Sequence, residues 1–284
     1  MIDEAYNLYI KCFPDYQCSR ACFAELLNPE QAVIFLEYAG GRLAAFAMVW
    51  DNAIALLCVD LPYRNKGIGS RLLSDAQEHI RRTGADKIVL GRGSHYLLQG
   101  VPTTDEKTVP FFEKRGYTAE WTSANMILPL EDYDINSSSI PALPPDISFR
   151  FAAAADREAL LSAVDDAESH WYGIFENCAD PVILAIESGT NRIVGFEIMS
   201  KDGGRFLEGA GCIGCVGVIH SAREKGIGRR MVAEGIEWLK TQGSLFVELR
   251  YVELVDWYKA LGFQVVGWQW MGEKTLCFTK PGFT

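Results

Sequence analysis

The sequence predicts an α/β fold with two related domains in tandem. A seven-residue stretch at 223–229 lies between an apolar run and a helical pattern, and a matching stretch lies at 64–70. Arg, Lys, Gly, Ile and Gly recur in register between them, at an offset of 223 − 64 = 159 residues. A repeat of this period indicates two domains rather than a solenoid, and a chain of 284 residues is long enough for both.

Each repeated stretch is predicted to bind a phosphate. Its two glycines let the backbone come close to a ligand without a Cβ in the way. The first turn of the helix that follows presents unpaired N–H groups and the positive end of the helix dipole. In the second copy Arg223, Lys225 and Arg229 add cationic side chains around the same turn. One such loop alone could be a plain strand-to-helix turn, but two matching copies favour a binding role.

The composition is that of an ordinary globular chain and argues against several classes of partner. Hydrophobic residues make up 49% of the chain and charged residues 23%, with a formal net charge of −10. A general nucleic-acid binder needs a basic face, so no nucleic-acid partner is expected. No apolar run reaches the ~18–20 residues that span a bilayer, and no signal peptide is visible at the first residues. We therefore expect a cytoplasmic protein without a membrane partner.

The eight cysteines do not predict a metal site or a disulfide framework. Cys212 and Cys215 lie three apart in a predicted strand, so their side chains point to opposite faces. Because no second matching pair exists, no metal is expected, and reduced thiols suit a cytosolic protein.

Arg-x-x-Gly-x-Gly between a strand and a helix resembles motif A of the GNAT superfamily of N-acetyltransferases. In that family the motif binds the pyrophosphate of acetyl-coenzyme A (acetyl-CoA). The chain resembles a tandem GNAT protein over nearly its whole length, which implies a mixed sheet with helices on both faces in each domain and acetyl-CoA as cofactor. The loop residues that would bind the cofactor are Arg64, Asn65, Lys66, Gly67, Ile68, Gly69, Ser70, Arg223, Glu224, Lys225, Gly226, Ile227, Gly228 and Arg229.

The resemblance also implies a path for the pantetheine arm of the coenzyme. In the first domain the backbones of Val59 and Leu61 would face this arm. In the second domain the backbones of Val218 and His220 would do so. In GNAT proteins a bulge in this strand separates two parallel strands, and the arm binds the exposed backbone groups much as an added strand would.

The first domain is predicted at residues 1–130, in the α-α-β-β-β-α order of the family. Its predicted elements are helices at 3–28 with a break near Pro14, strands at 32–38, 43–50 and 54–60, a helix at 70–83, a strand at 87–91, a helix at 109–115 and a final strand pair ending at 127. The family's opening strand is missing, because the chain begins with a helical pattern. The other domain or another chain would have to cover that sheet edge.

A linker rich in Asp, Asn, Ser and Pro at residues 131–145 precedes a second domain at 146–284. The predicted elements of this domain are strand 147–151, helix 156–168, hairpin strands 182–187 and 192–200, a long strand 205–219 and helix 231–240. The glycines of the long strand favour the bulge that the family places there.

A tyrosine in the second domain is the predicted general acid. GNAT enzymes commonly place a tyrosine hydroxyl near the coenzyme sulfur, in the pattern aromatic-Tyr-x-x-x-Gly-Phe. Residues 257–263 match this pattern and make Tyr258 the candidate, whereas the first domain has Phe112 at the same position. The leaving thiolate needs a proton donor and Phe112 has no hydroxyl, so the second domain is the predicted active half. The alternative for Tyr258 is one more aromatic on a core-facing helix.

The general base and the acceptor pocket are less sharply predicted. Glu208 and Glu248 could each reach the amine through water, and each also suits a solvated or salt-bridged carboxylate. His170, Trp171 and Tyr172 lie where GNAT proteins line the acceptor pocket. A neutral His170 could act as a base or simply pack or face solvent.

The first domain carries an insertion relative to the second. Its arginine and aromatic positions are separated by 112 − 64 = 48 residues, against 258 − 223 = 35 in the second domain. The 13 extra residues fall at 93–106, where Ser94, His95 and Tyr96 could form an acceptor site or a cover over the cleft. Otherwise the first domain is a scaffold or binds the coenzyme structurally.

The sequence thus predicts an N-acetyltransferase that moves an acetyl group from acetyl-CoA to a primary amine on a small molecule, with the chemistry in the second domain. Two alternatives stay open: a non-catalytic protein that senses acyl-CoA, and an acetyltransferase acting on protein lysines or N-termini. The protein is expected to be a monomer or a homodimer.

Overall fold

The computed structural model of the protein describes residues 1–27, 32–93, 97–137, 140–204 and 207–276. Contacts divide the chain into two compact units that are not sequential: the first is Met1–Ala124 with Gly267–Thr284, and the second is Asn125–Val266. Each unit contains a sheet with both parallel and antiparallel pairs and its own helices. The predicted α/β class with two tandem domains is confirmed.

The first unit contains residues 64–70, one of the two predicted phosphate-binding stretches at 64–70 and 223–229 (called the phosphate loops below), and a five-stranded sheet in the order β1-β2-β3-β4-β13. Its elements are α1 (Ile2–Cys12), α2 (Arg20–Leu26), β1 (Ala32–Ala39), β2 (Arg42–Trp50), β3 (Ala53–Val59), α3 (Ile68–Arg82), β4 (Lys87–Leu90), β5 (Val101–Pro102), α4 (Thr108–Glu113), the start of β6 (Thr122–Pro129) and, from the C-terminal part, β13 (Glu273–Thr275). Strand β1 lies at the edge of the sheet, and within the described residues no strand pairs with its outer side.

Helices cover both faces of the first sheet because successive residues of β2 point to opposite sides. Ala45 and Ala47 pack against Ile68 and Leu72 of α3. Phe46, between them, faces the other way and makes an edge-to-face contact with Phe23 of α2 at a ring separation of 6.5 Å. Small residues on one face and a large ring on the other let both helix layers approach the same strand.

The predicted strand pair at the end of the first domain is wrong. Between the end of α4 and residue 130 only one strand, β6, forms, and its part after Ala124 belongs to the second unit. Thr118 makes a single isolated bridge to Glu273 instead of a second strand. The position beside β4 is filled by β13, which aligns Glu273 with Val89. A local pattern does not reveal this pairing, because its two partners are far apart in the sequence.

The second unit has the sheet order β12-β6-β11-β10-β9-β8-β7. Its elements are the rest of β6, β7 (Ile147–Phe151), α5 (Arg157–Glu168), α6 (Tyr172–Glu176), β8 (Val182–Glu187), β9 (Arg192–Ser200), β10 (Ala210–Val218), α7 (Ile227–Thr241), β11 (Phe246–Val252), α8 (Val255–Lys259) and the start of β12 (Gln264–Trp270). The bounds of β7, β8 and β9 are those predicted from the sequence.

Two predicted elements of the second unit have different ends in the structure. Strand β10 begins at Ala210, because Gly209 adopts the left-handed conformation with φ of 76° and turns the chain there. Arg205 and Phe206, in the predicted strand, lie outside the described residues. Helix α7 begins at Ile227 rather than at residue 231, directly after Gly226. The phosphate loop is therefore continuous with the first turn of the helix.

Candidate active site

The two phosphate loops have the same backbone. Asn65 and Gly67 adopt left-handed φ values of 62° and 81°, and Glu224 and Gly226 adopt 64° and 79°. In each loop the second of these residues is the N-cap of a 15-residue helix, α3 or α7. Within the described residues no side chain caps either helix, so the first-turn N–H groups face outward for a ligand. The sequence repeat is thus a structural repeat.

A bulge opens the sheet next to the second loop. Strand β10 pairs in parallel with β11 only at its start, from Ala210 to Cys212. Its register with β9 then shifts between Gly214 and Gly217, so that two residues of β10 face one residue of β9. Cys215, inside the bulge, has a φ of 51°. The predicted bulge is confirmed, and it separates β10 from β11 beyond their short paired segment.

A cavity of about 670 Å³ joins the loop, the bulge and α8 in the second unit. Its walls include Val216 and Val218 of β10, Arg223 and Arg229 of the loop, and Tyr258 of α8. This volume lies within the range of about 300–1,000 Å³ that is typical of small-molecule sites. One cavity therefore contains both the predicted phosphate site and the predicted general acid.

Tyr258 lies half-buried in this wall, among other aromatic rings. Its ring is 4.7 Å from that of Trp257 and 5.8 Å from that of Phe263, in edge-on arrangements. Burial raises the pKa of Tyr258 well above its usual value, and the nearby Glu197 adds to the shift. The phenol therefore keeps its proton at neutral pH, which is the state that a general acid requires.

Gly228 allows the loop to lie close to α8. An ideal Cβ at this position would lie 3.4 Å from Val218 and 3.5 Å from the Trp257 ring. Arg229 then places its guanidinium 5.9 Å from the centre of the same ring. A cation is thus held beside the first turn of α7, where a phosphate group would need it.

The first unit builds the same arrangement with different residues. An ideal Cβ at Gly69 would lie 3.4 Å from Val59 and 3.7 Å from the Phe111 ring. Ser70 stands where the second unit has Arg229, and the guanidinium comes instead from Arg115, 3.8 Å above the centre of the Phe111 ring. Arg115 also donates a hydrogen bond of 2.6 Å to Ser70 Oγ. The positive charge at the helix start is therefore present in both units.

The first arginine of each motif braces its loop. Arg223 donates from Nε to the carbonyl of Val218 at 3.1 Å and from a terminal nitrogen to that of Ala167 at 3.0 Å. Arg64 donates from Nε to the carbonyl of Val59 at 2.9 Å and forms an ion pair with Asp105 at 3.4 Å. The two bonds from Nε tie each loop back to the preceding strand, and each uses one lone pair of a carbonyl predicted to face the pantetheine arm. The bond to Ala167 also ties the second loop to α5.

The other two backbone positions predicted along this arm differ in their surroundings. Leu61 is exposed. The backbone N–H of His220 donates to Asp166 at 2.8 Å, and this bond lowers the pKa of that carboxyl. Lys66 and Lys225 are exposed at the rims of their loops.

The acetyltransferase (GNAT) family model matches residues 2–117 and again residues 151–263. The chain belongs to the acetyltransferase (GNAT) family. Each matched region contains one phosphate loop, so this GNAT protein carries the family domain twice, and it is an acyltransferase. The family generally uses acetyl-CoA as its acyl donor.

Two relatives of this GNAT protein are named mycothiol acetyltransferase. The protein from Arthrobacter sp. (strain FB24) is 27% identical over 245 residues, which are 78% of this chain and 71% of that protein. The protein from Pseudarthrobacter chlorophenolicus is 25% identical over 251 residues, covering 79% of this chain and 72% of the relative.

Two solved structures share the fold over nearly the whole chain. The GCN5-related glucosamine N-acetyltransferase region of a fungal multidomain GH3 β-N-acetylglucosaminidase gives a TM-score of 0.82 at 24% identity, covering 96% of this chain and 36% of that longer protein. A tandem GNAT protein of the clavulanic acid biosynthesis pathway gives 0.71 at 15% identity, covering 98% and 96%. At these identities the likeness establishes the fold.

The residues predicted for the acceptor pocket of this GNAT protein are not all at the cavity. Trp171 lines it. His170 is exposed and its ring Nδ1 lies 2.7 Å from Glu168, which lines the cavity itself. Tyr172 is exposed, and among the described residues neither it nor His170 belongs to the cavity wall. Ser94, His95 and Tyr96 lie outside the described residues.

The two predicted general bases also lie away from the described cavity wall. Glu208 is exposed in the turn before β10. Glu248 is only 2% exposed and forms an ion pair with Arg250 at 3.3 Å. Either carboxylate would have to act on the amine through intervening water.

Glu197 is a buried acidic residue that sequence analysis did not single out. It lies on β9 opposite the bulge, with 0% exposure, and neither of its carboxylate oxygens has a hydrogen-bond partner within the described residues. Burial raises its pKa well above the usual value, and Glu234 adds to the shift. An ideal Cβ at Gly235 of α7 would overlap Glu197 Oε1. The sequence signal that was available is the glycine in the middle of a helix. Glycine destabilises a helix interior, so its presence there indicates that another group needs the space of a side chain.

Metal-ligand groups and membrane-spanning helices can also be assessed in the structure. Within the described residues no group of three or more His, Cys, Asp or Glu side chains is placed to hold a metal ion. Among the helices that the structure describes, none has the length and apolarity that a membrane crossing needs.

Proposed function

We propose that the second unit transfers an acetyl group from acetyl-CoA to a primary amine on a small molecule. The observation that carries the proposal is the single cavity that the phosphate loop, the opened end of β10 and Tyr258 share. Its lining residues suit a coenzyme with its pyrophosphate at the start of α7 and its thioester near α8. Binding in this position would hold the thioester carbonyl next to an entering amine, so that the reaction of the two groups becomes effectively unimolecular.

The transfer needs one bond exchange and two proton movements. The neutral amine attacks the thioester carbonyl, the carbon–sulfur bond breaks, and the coenzyme thiolate takes a proton from Tyr258. The acetylated nitrogen loses its extra proton through water to a carboxylate, for which Glu208 and Glu248 are the candidates. The products are the N-acetyl amine and free coenzyme A, and the phenol is restored from solvent.

A small-molecule acceptor is supported by the cavity wall and by the names of the relatives. Trp171 and the carboxylate of Glu168 lie on one wall, where they could hold an amine that carries other polar groups. One structural relative is named a glucosamine N-acetyltransferase region, and glucosamine is a small molecule with a primary amine. We therefore include amino sugars among the candidate acceptors.

We further propose that the first unit binds the coenzyme without catalysing transfer. Its loop has the same backbone as the second loop, and Arg115 lies near it as Arg229 lies near the second. The position that corresponds to Tyr258 is Phe112, which is buried and has no hydroxyl to donate.

The proposed activity is tested by following free thiol release from acetyl-CoA with a panel of acceptors. The panel contains glucosamine, simple alkyl amines and a lysine-containing peptide, and the products are identified by mass spectrometry. We expect coenzyme release that depends on a small amine, with one acetyl group on its nitrogen. Transfer to the peptide alone would support a protein acetyltransferase instead. Tight binding of acetyl-CoA without turnover of any amine would support a sensing protein.

A further inference from the structure

Two cysteines of the first unit lie side by side next to the phosphate loop. Cys12 is the last residue of α1, and Cys58 is the next-to-last residue of β3. Both are free thiols. Cys58 is completely buried, whereas Cys12 is partly exposed. Cys12 Sγ lies 3.6 Å from the carbonyl oxygen of Val59, the residue next to Cys58, so the two thiols lie near each other. The pair thus has one thiol that solvent can reach and one that it cannot.

The surroundings of the two thiols differ in charge. In its thiol form Cys12 donates from Sγ to the carbonyl of Val59 across 3.6 Å, and the same oxygen accepts the bond from Arg64 Nε at 2.9 Å. The hydrogen bond from Cys58, helped by the charge of Arg64 and opposed by burial, lowers the pKa of Cys12 to about 7. Burial raises the pKa of Cys58 well above its usual value. Of the two thiols, Cys12 is therefore the one that ionises at the lower pH.

We propose that Cys12 and Cys58 form a thiol–disulfide exchange site, in which Cys12 attacks a small-molecule disulfide and Cys58 resolves the product. An accessible thiolate next to a second thiol is the arrangement that such exchange requires. The proposal does not depend on acetyl transfer, because both cysteines lie in the first unit and neither lines the cavity of the second.

The exchange balances in two steps. The Cys12 thiolate attacks one sulfur of the disulfide R–S–S–R, forming a mixed disulfide on Cys12 and releasing one thiolate of R. The Cys58 thiol then gives its proton to the thiolate that was released first, attacks Cys12 Sγ and releases the second thiolate of R, which takes a proton from water. The two protein thiols are oxidised to one disulfide, and the small disulfide is reduced to two thiols.

The bond would join two elements just before the first phosphate loop. Cys58 precedes Val59, whose carbonyl holds Arg64. A Cys12–Cys58 disulfide would tie the end of α1 to this point of β3 and remove the hydrogen bond from Cys12 to Val59. Oxidation by a small disulfide would thereby change the surroundings of the Val59 carbonyl, which holds Arg64 and with it the first phosphate loop.

The site is tested on the full chain with oxidised glutathione and, separately, coenzyme A disulfide as probes. After digestion, mass spectrometry should find the peptides of Cys12 and Cys58 linked, with the loss of two hydrogens. The Cys58→Ser variant should instead keep the probe as a mixed disulfide on Cys12, and Cys12→Ser should leave Cys58 unmodified. Linkage of Cys12 to another cysteine, or two intact thiols after excess probe, would overturn the proposal.

A second measurement stays informative if a serine variant folds poorly. The rate of iodoacetamide alkylation of Cys12 in the unmodified chain should rise with a midpoint near pH 7. Cys178 is a matched control, because it is also partly exposed but burial raises its pKa. We expect Arg64→Gln to move the Cys12 midpoint to higher pH. Identical pH profiles for Cys12 and Cys178 would contradict the proposal.

Discussion

Tyr258→Phe is expected to lower kcat for acetyl transfer by a factor of about 10²–10⁴, the usual contribution of a positioned general acid. The ring contacts with Trp257 and Phe263 do not involve the hydroxyl, so binding of acetyl-CoA should change little. Because the pKa of Tyr258 is raised, its ionisation should not reduce the wild-type rate up to pH 10. Steady-state rates of thiol release between pH 6 and pH 10 measure the loss of kcat in the variant and the pH dependence of the wild-type rate.

Tyr117→Phe provides the matched control for this substitution. Tyr117 is a buried phenol of the first unit that accepts a hydrogen bond from Gln77 at 3.0 Å. Its loss should cost about 0.5–1.5 kcal/mol of stability and leave kcat unchanged. If Tyr258→Phe kept the wild-type kcat, the hydroxyl would not supply the proton, and Tyr258 would be a core aromatic only.

Glu197→Gln is expected to stabilise the protein by an amount that increases with pH. The pKa of Glu197 is raised in the folded state above the ordinary value of 4.5, so the folded protein holds its proton more tightly than the unfolded chain. The contribution of Glu197 to the free energy of unfolding is therefore complete at pH values below its pKa in the unfolded chain. It is lost as the pH rises towards its pKa in the folded protein. Glutamine keeps the shape and cannot ionise. The difference in unfolding free energy between Glu197→Gln and wild type should increase by up to about 1.4 kcal/mol for each unit that the pH rises.

Urea unfolding of both proteins at pH 5, 6, 7 and 8 measures this gap. Glu248→Gln is the matched control, because Glu248 is equally buried but is paired with Arg250. Removing one partner of a buried ion pair leaves the other charge uncompensated, so this variant should be destabilised by about 3–5 kcal/mol. A pH-independent gap for Glu197→Gln, or a variant less stable than wild type at pH 8, would show that Glu197 has a favourable partner.

The parts of the structure that the sequence predicts well are those with a local cause. The phosphate loops need glycine at Gly67 and Gly226 because the backbone there has a left-handed φ, and a glycine between a strand and a helix is visible in the sequence. The hairpin of β8 and β9 follows from two apolar runs around a Ser-Gly-Thr-Asn turn. The bulge in β10 follows from its glycines and from the family resemblance.

The features that the sequence did not predict depend on contacts between distant residues. Strand β13 pairs with β4 across more than half of the chain, and no local pattern marks it as their partner. Arg115 supplies the cation of the first loop from the turn after α4 and not from the loop itself. Glu197 is a single acidic residue within the otherwise apolar run of β9, and its complete burial against Gly235 of α7 depends on a helix that is distant in the sequence.

The most direct test of the account is calorimetric titration of acetyl-CoA into wild type and Gly226→Glu. A glutamate there would place bulk and negative charge where the pyrophosphate is proposed to bind. Gly226→Asn is the matched control, because asparagine tolerates the left-handed conformation and carries no charge. Gly67→Glu makes the same change in the first unit.

The account predicts that Gly226→Glu loses the second-unit site while Gly226→Asn retains it, and that Gly67→Glu loses only the first-unit site. Acetyl-CoA binding by Gly226→Glu with the wild-type number of sites and affinity would contradict the central claim that this loop holds the coenzyme.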